Sequence, residues 1–533
     1  MQYNIIPVPY SISRYQGKGA EPCAGYSFAG EEDINCETDL KDFFCRVFKN
    51  ESAVNKDKKL DIILELSDMS GDEAYRIAVD GAVTINARSS KGFFYAVQTL
   101  KQLILEFWLR QNTAIPSIVI EDKPLYLYRG YMLDVSRHFF DADTVIELLS
   151  VLALHKINKF HFHITDDQGW RVEIKQYPRL TEIGATRKGT LGNKIPHGGY
   201  YTQEDIKKIV AYASSKHIEV IPEIDLPGHF TAAIAAYPEL SCEGKAVEVA
   251  TSFGIKHDIA CCGKESTFTF FEKVIDEITE IFPSSYIHIG GDEAPKDRWE
   301  ECPACREKMQ KLNLNSVEKL QGHMVNRIAE YIESKGRKAI VWNESLNSGI
   351  LNDSIICQYW SDGKEPLRVL NGINSGRNTI ISKFTPYYFD YPHGMHSLKA
   401  IYTFEPELKG AEGNESNIIG IEGHLWTEYV ETKAQINYQT FPRLTALSEI
   451  AWSSKAQRNY DDFEERLKEF YPIYELYGIT PTPIADVNPG KIAGTIQIIK
   501  FFKNAITRES IKSFFSSYKA NKKVKSTRNE DKN

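Results

Sequence analysis

Tyr128-Arg-Gly-Tyr-Met-Leu-Asp134, a helix-spaced stretch from Asp143 to His155, then Lys159-Phe-His-Phe-His-Ile-Thr165 running into Asp166-Asp167: this succession decides the fold. Two short apolar-rich runs flanking a segment of helical period read as strand, helix, parallel strand. The pattern recurs. Strands are predicted to begin near Tyr128, Lys159, Glu219, Tyr286, Lys338, Ser354, Asn378 and Asn417, with further helices at Gln203 to Lys216, Thr267 to Phe282 and Ser316 to Ser334. Eight such units over about 325 residues fit an α/β fold of the closed (β/α)8 TIM-barrel type better than an open sheet.

Upstream, residues 1–125 read as a small α+β accessory domain. Asp61 to Leu66, Ala74 to Val79 and Val83 to Asn86 alternate like strands, Asp80-Gly81 makes a hairpin turn, Phe93 to Leu105 is a helix, and Ile118 to Ile120 is a closing strand. Asp122-Lys-Pro124 is a candidate linker. The barrel is assigned to 126–480, with Asp461 to Leu476 as its last helix. Residues 481–533 form an extension in which Ile492 to Tyr518 is an amphipathic pair and the Lys-rich end, Lys519 to Asn533, is disordered.

Bulk properties narrow the function. With 533 residues, 42% hydrophobic and 26% charged, the chain is an ordinary multidomain globular protein. Its net charge of −8 argues against a nucleic-acid partner. There is no apolar run long enough for a membrane span. Met1 to Tyr10 lacks the basic start and apolar stretch of a signal peptide, which at face value keeps the chain in the cytoplasm, a lost leader being the alternative. Nine cysteines include Cys261-Cys262 and Cys302-Pro-Ala-Cys305. The latter invites a zinc reading, but no second CxxC supplies the other two ligands, so surface-hairpin cysteines are the preferred reading.

Barrel enzymes carry their chemistry at the C-terminal ends of the strands. Here those ends are Asp134-Val-Ser-Arg137-His138, Asp166-Asp167, Asp225-Leu-Pro-Gly-His229, Gly290-Gly-Asp292-Glu293, Trp342-Asn343-Glu344, Trp360, Tyr388-Phe-Asp390 and Trp426-Thr-Glu428. Salt bridges and caps would explain some of these ends singly but not all eight. Gly290-Gly291 lets the backbone bend, so Asp292 and Glu293 need not face opposite sides. Two adjacent carboxylates repel, so one should titrate high and act as an acid while the other stays charged. Tryptophans at the mouths suit a sugar ring. Trp170 and Trp452 are read as nearer to core residues than to pocket walls.

Together, Arg129 to Phe139, His161 to Trp170, Pro222 to His229, His288 to Glu293, Trp342, Trp360, Tyr388 to Asp390 and Leu425 to Glu428 resemble the family 20 glycoside hydrolases, the β-N-acetylhexosaminidases. The resemblance implies an exo-acting, retaining hydrolase that removes terminal β-linked N-acetylglucosamine or N-acetylgalactosamine. In it Glu293 resembles the general acid. Asp292 resembles the carboxylate that steadies the substrate's own 2-acetamido group as that group attacks the anomeric carbon. Tyr388 would bond the acetamido oxygen, and Asp166 and His229 would relay to Glu293. Trp342, Trp360 and Trp426 would wall the pocket, while Arg137, Asp390 and Glu428 would hold hydroxyls. Arg129 would be structural. The partners implied are N-acetylhexosamine-containing glycans, with no cofactor and no metal; relatives are often exported. Asn343 stands where the family usually has Asp, and Ala294 where many bacterial relatives have Cys.

Two other readings remain open. A metal-dependent hydrolase would use His161 and His163 as an HxH pair, with His229 and His288 as further ligands. A lectin-like protein would keep the pocket without turnover.

Overall fold

The computed structural model describes residues 3–21, 25–48, 59–110, 114–361 and 366–505. All eight predicted barrel strands form: β1 (Tyr128–Asp134), β2 (Lys159–His163), β3 (Glu219–Glu223), β4 (Tyr286–His288), β5 (Lys338–Trp342), β6 (Ile356–Tyr359), β7 (Thr379–Ile381) and β8 (Ile418–Leu425). They pair in parallel and in sequence order, and β8 closes on β1. Four long helices fall where the apolar period placed them: α1 (Ala142–Leu154), α2 (Gln203–Ser215), α3 (Glu265–Ile281) and, after the short α4 (Asp297–Glu301) and α5 (Pro303–Lys311), α6 (Val317–Ser334). Side-chain caps start three of these helices, Asp141 on α1, Thr202 on α2 and Ser316 on α6, each accepting a backbone N–H of the first turn.

The last barrel helix is not Asp461 to Leu476. Arg443–Trp452, buried along its whole length, packs between β8 and β1, and Tyr460–Leu476 lies outside it. Buried Leu444, Leu447 and Ile450 fit that slot, whereas Tyr460–Leu476 spends Arg466 on Glu449 and on the Ile5 carbonyl.

The accessory unit is a six-stranded sheet against the helices Ile34–Phe48 and Ser90–Leu109. The Gly81 hairpin forms as read, with φ +75° at the turn. Strands Ser11–Arg14 and Tyr26–Gly30 and the helix Ile34–Phe48 are additional to the sequence reading. The first two sit at the sheet edges and bury few side chains, so they carry little alternation.

Asp122 is no loose linker. It ends a strand, is buried, and takes Lys156 Nζ at 2.9 Å, Trp452 Nε1 at 2.8 Å and Tyr75 Oη at 2.5 Å, joining the sheet to the barrel. Arg129 does the same nearby: it pairs with Glu73 at 2.7 Å, donates to the carbonyls of Lys156 and Tyr126, and lies over the Trp452 ring. Trp452 and Trp170 are both core.

Beyond 481 a 3-10 turn (Ile484–Asp486) and one α-helix, α7 (Lys491–Ala505), are described; the rest of the predicted pair and the Lys-rich end lie outside the described residues. Helix α7 docks through glycine. Gly394 and Gly494 approach so closely that a Cβ on Gly394 would stand 2.4 Å from the Gly494 carbonyl oxygen, and Gln497 accepts the Gly394 N–H at 2.9 Å. Cys302 and Cys305 are not on a surface hairpin: both are buried, Cys302 capping α5 and Cys305 in its first turn. Among the described residues no helix is long and apolar enough to cross a membrane.

Candidate active site

Strand register brings Asp134, His163, Glu223 and His288 level across β1 to β4, so the residues that follow emerge together at one mouth. There a cavity of about 270 Å³ is lined by all eleven predicted site residues: Arg137, Asp166, His229, Asp292, Glu293, Trp342, Trp360, Tyr388, Asp390, Trp426 and Glu428. That size accommodates a small ligand of about one sugar ring.

Local interactions explain why these side chains converge. Asp134 accepts the backbone N–H groups of Ser136 (2.8 Å), Arg137 (3.1 Å) and Thr427 (3.0 Å), which folds the turn carrying Arg137 and ties it to the β8 end. The adjacent Asp166 and Asp167 divide their work. Asp167 accepts the Thr231 N–H at 2.9 Å and so anchors the His229 loop, while Asp166 faces the pocket. Arg443 donates to the carbonyls of Phe389 and Tyr391, and the His396 ring bonds the Tyr388 carbonyl, so the loop carrying Tyr388 and Asp390 is held from behind.

After β4 the backbone turns sharply. Gly290 (φ +63°) and Gly291 (φ +102°) lie in left-handed territory, and added Cβ atoms would stand 1.7 Å from Asp225 Oδ1 and 2.1 Å from Ser345 Oγ. Glu293 itself holds φ 42°, a conformation side chains enter at a cost of order 1–3 kcal/mol. Its N–H is accepted by Glu344 at 2.9 Å, which fixes the bend.

His229 lies between two acidic groups. Its Nδ1 is 3.2 Å from Asp166, and its Nε2 is 3.8 Å from both the Asp292 and the Glu293 carboxylates. Burial opposes its charge, but Asp166 overcomes this and holds the imidazole well above its usual range. Asp166 is buried too, yet Arg137 (2.7 Å) and then His229 keep its carboxyl well below the usual range. Arg137 also pairs with Asp134 at 3.2 Å, approaches Glu428 at 3.9 Å, and lies 4.9 Å above the Trp426 ring.

The resemblance leads one to expect Asp292 to stay charged. Instead burial pushes its carboxyl up to about 8, with the charges of Glu344, Glu293 and Glu223 adding and His229 opposing. Asp292 Oδ1 and Asp390 Oδ1 are buried with no hydrogen-bond partner among the described residues. Beside Asp292 stands a box of rings: Tyr388 lies 6.0 Å from Trp360 and 6.1 Å from Trp426, and Trp426 lies 6.1 Å from Trp342. Glu223 accepts the Trp342 indole N–H at 2.8 Å and keeps the ring upright. Asn343 accepts from the backbone of Trp360 and Ser361 and donates to the Ser361 carbonyl, a donation an Asp could not make while charged.

Two of the histidines proposed as metal ligands, His161 and His163, lie against buried carboxylates. His161 sets Nδ1 2.8 Å from Glu422 and Nε2 3.1 Å from Glu223, and His163 bonds Glu223 and Asp166. Against burial, Glu422 and Glu223 raise His161 to about 9, so it is an imidazolium in the barrel floor.

Several residues in or beside the cavity escaped the sequence reading. Asp225 and Glu344 stand in the quoted strand ends and their position was the available signal; Glu344 acts on Glu293 from just outside the pocket lining. Phe501 and Phe502 come from α7, where nothing in the sequence pointed to a site. Phe501 packs on Tyr391 at 5.4 Å and Tyr429 at 5.5 Å, at the rim.

The family model described as glycosyl hydrolase family 20, catalytic domain, matches residues 126–455, and that of domain 2 of the same family matches residues 2–123. The chain belongs to glycosyl hydrolase family 20. A β-hexosaminidase of Porphyromonas gingivalis is 33% identical over 519 residues, covering 89% of this family 20 chain and 64% of the relative, so the chain spans less than two thirds of that protein. Among solved structures, the exo β-N-acetylglucosaminidase of Vibrio harveyi in complex with N-acetylglucosamine superposes with a TM-score of 0.80 at 28% identity, covering 90% and 78% of the two chains. The β-N-acetylhexosaminidase of Bacteroides fragilis gives 0.77 at 31% identity, covering 91% and 99%.

Proposed function

We propose that this family 20 chain is an exo-acting, retaining β-N-acetylhexosaminidase that works by substrate-assisted catalysis. The observation that carries this reading is the ring box beside Asp292. Three indoles and a phenol enclose an apolar slot bounded by a buried carboxylate oxygen without a partner among the described residues and by the Tyr388 hydroxyl. An acetamido group is complementary to that slot: its methyl fills the rings, its N–H meets Asp292, and its carbonyl oxygen accepts from Tyr388. A cavity of one-sugar size favours chain ends over chain interiors.

The reaction follows from these positions. Held by Tyr388 and Asp292, the acetamido oxygen attacks the anomeric carbon from below as the glycosidic C–O bond breaks, and Glu293 gives its proton to the departing oxygen. The positive charge of the resulting oxazolinium is balanced by ionised Asp292. Water then attacks the same carbon, gives its proton to Glu293, and reopens the ring as the β-anomer. Burial raises the Asp292 carboxyl in the free site, a bound N–H and the developing positive charge favour its ionised form, and His229 Nε2 stands 3.8 Å from the carboxylates of both Asp292 and Glu293. Arg137, Asp390 and Glu428 hold the ring hydroxyls.

Fluorinating the N-acetyl group tests the mechanism. Each fluorine makes the acetamido oxygen a poorer nucleophile at little change in size, so kcat should fall steeply along the mono-, di- and trifluoro series. A flat series, or a sugar trapped on an enzyme carboxylate, would overturn it.

Phe501 and Phe502 form the wall met by the leaving group. Phe501→Ala should raise KM several-fold for a β-1,4-linked N-acetylglucosamine dimer, about the worth of one aromatic contact, and change the methyl glycoside much less. Equal effects on the two substrates would place Phe501 outside the leaving-group path.

A further inference from the structure

Four cysteines from two distant stretches meet behind the catalytic loops. The sulfurs of Cys242, Cys261, Cys302 and Cys305 all lie within 4.8 Å of one another, with Cys242–Cys305 and Cys261–Cys302 at 3.9 Å and Cys261–Cys305 at 3.7 Å. A disulfide needs sulfurs about 2.05 Å apart. Four thiolates around one tetrahedral zinc, at a Zn–S length of about 2.3 Å, stand about 3.8 Å apart. The observed spacing is that of a closed tetrahedral site. The two ligands missing from the CxxC motif come from Cys242 and Cys261, which are not a CxxC and so gave no motif.

We propose that Cys242, Cys261, Cys302 and Cys305 bind a structural zinc ion. The surroundings are built for it. Cys261, Cys302 and Cys305 are buried, and only Cys242 is partly open. Cys302 and Cys305 begin α5, where the helix dipole favours thiolate charge. Cys262 points elsewhere, toward the Leu320 carbonyl, so the set closes at four. Gly263 lies so close to α5 that a Cβ would stand 2.4 Å from the Cys305 nitrogen, which brings the Cys261 segment down onto the CxxC turn. Lys264 donates to the carbonyls of Glu239 and Ser241, fixing the approach to Cys242.

The ion would take no part in the reaction; it would position the groups that do. Cys242 and Cys261 belong to the long segment after β3, downstream of His229, and Cys302 and Cys305 follow the β4 end that carries Asp292 and Glu293. The same two segments touch nearer the pocket. Ala260 donates to the Pro227 carbonyl at 2.9 Å and accepts from the Trp299 indole at 3.0 Å, and a Cβ on Gly228 would meet the Asp292 carbonyl at 3.1 Å. A metal at the back of this seam clamps the His229 loop to the Asp292–Glu293 turn, whatever the substrate.

The full chain, purified without chelator or added thiol, should contain about one zinc per chain, released by a mercurial thiol reagent and read with a colorimetric zinc indicator. Cys302→Ser/Cys305→Ser should lose the zinc and melt at a lower temperature. Should that variant fail to fold, wild-type protein refolded with Co²⁺ decides: thiolate-to-cobalt charge transfer in the near ultraviolet with the visible bands of tetrahedral cobalt supports the site. Zinc at background level, with four alkylatable thiols or with two disulfides by mass spectrometry, would overturn it.

Discussion

Glu293→Gln is expected to cost roughly 10²–10⁴-fold in kcat on natural glycosides, the usual worth of a positioned general acid. The loss should depend on the leaving group. A sugar alkoxide cannot depart without a proton, whereas a dinitrophenolate can, so aryl glycosides with acidic leaving groups should keep most of their rate. The amide preserves the volume of Glu293 and can still accept nothing more than the carboxylate did, so binding in the ring box should persist and KM should change little. Kinetics of the variant across aryl glycosides of graded leaving-group acidity make the check. Equal losses along the series would remove Glu293 from proton transfer.

Asp292→Asn should act in two opposite directions. Without a carboxylate to balance the oxazolinium, kcat should fall by roughly 10²–10³-fold, as when a preorganised electrostatic group is removed, and the fluorine dependence should flatten. Stability should rise. The Asp292 carboxyl is held up to about 8 in the fold against an ordinary 3.8. Between those values the folded chain keeps a proton that the unfolded chain has released, so the aspartate makes stability decline as pH rises from about 4 to about 8. Asn carries no such dependence. The variant should therefore melt higher than wild type at pH 7 and no differently at pH 4. Equal melting temperatures at pH 7 would mean that Asp292 is ionised in the free site.

Much of this was legible because period and position carry it. The eight strand starts and the α1, α2, α3 and α6 helices follow from apolar spacing, and the rule that barrels work at strand ends gathered Arg137, Asp292, Tyr388 and Trp426, which the register then brought to one cavity. What escaped depends on contacts between distant segments. Cys242 and Cys261 share no motif with Cys302 and Cys305 and meet only when two loops fold together. Phe501 reaches the rim because Gly494 allows α7 to lie flat on Gly394. The last barrel helix was misplaced because Tyr460–Leu476 is the more plainly amphipathic, while Arg443–Trp452 is buried all round and shows no contrast between faces. The titration of Asp292 also lay out of reach, since burial rather than the neighbouring charge is its largest cause.

The turn at Gly290 and Gly291 also bears on how such a chain can change over generations. Position 290 is locked by Asp225 and position 291 by Ser345, two side chains on other strand ends. A single replacement at either glycine meets a neighbour before it can alter the chemistry. Shrinking residue 225 or 345 would not by itself free these positions, because both glycines lie in left-handed backbone that a side chain enters only under strain. The segment preceding Asp292 is therefore held by its neighbours as much as by the reaction, and drift in substrate preference has its open routes at the rim, in α7 and the loops beside it.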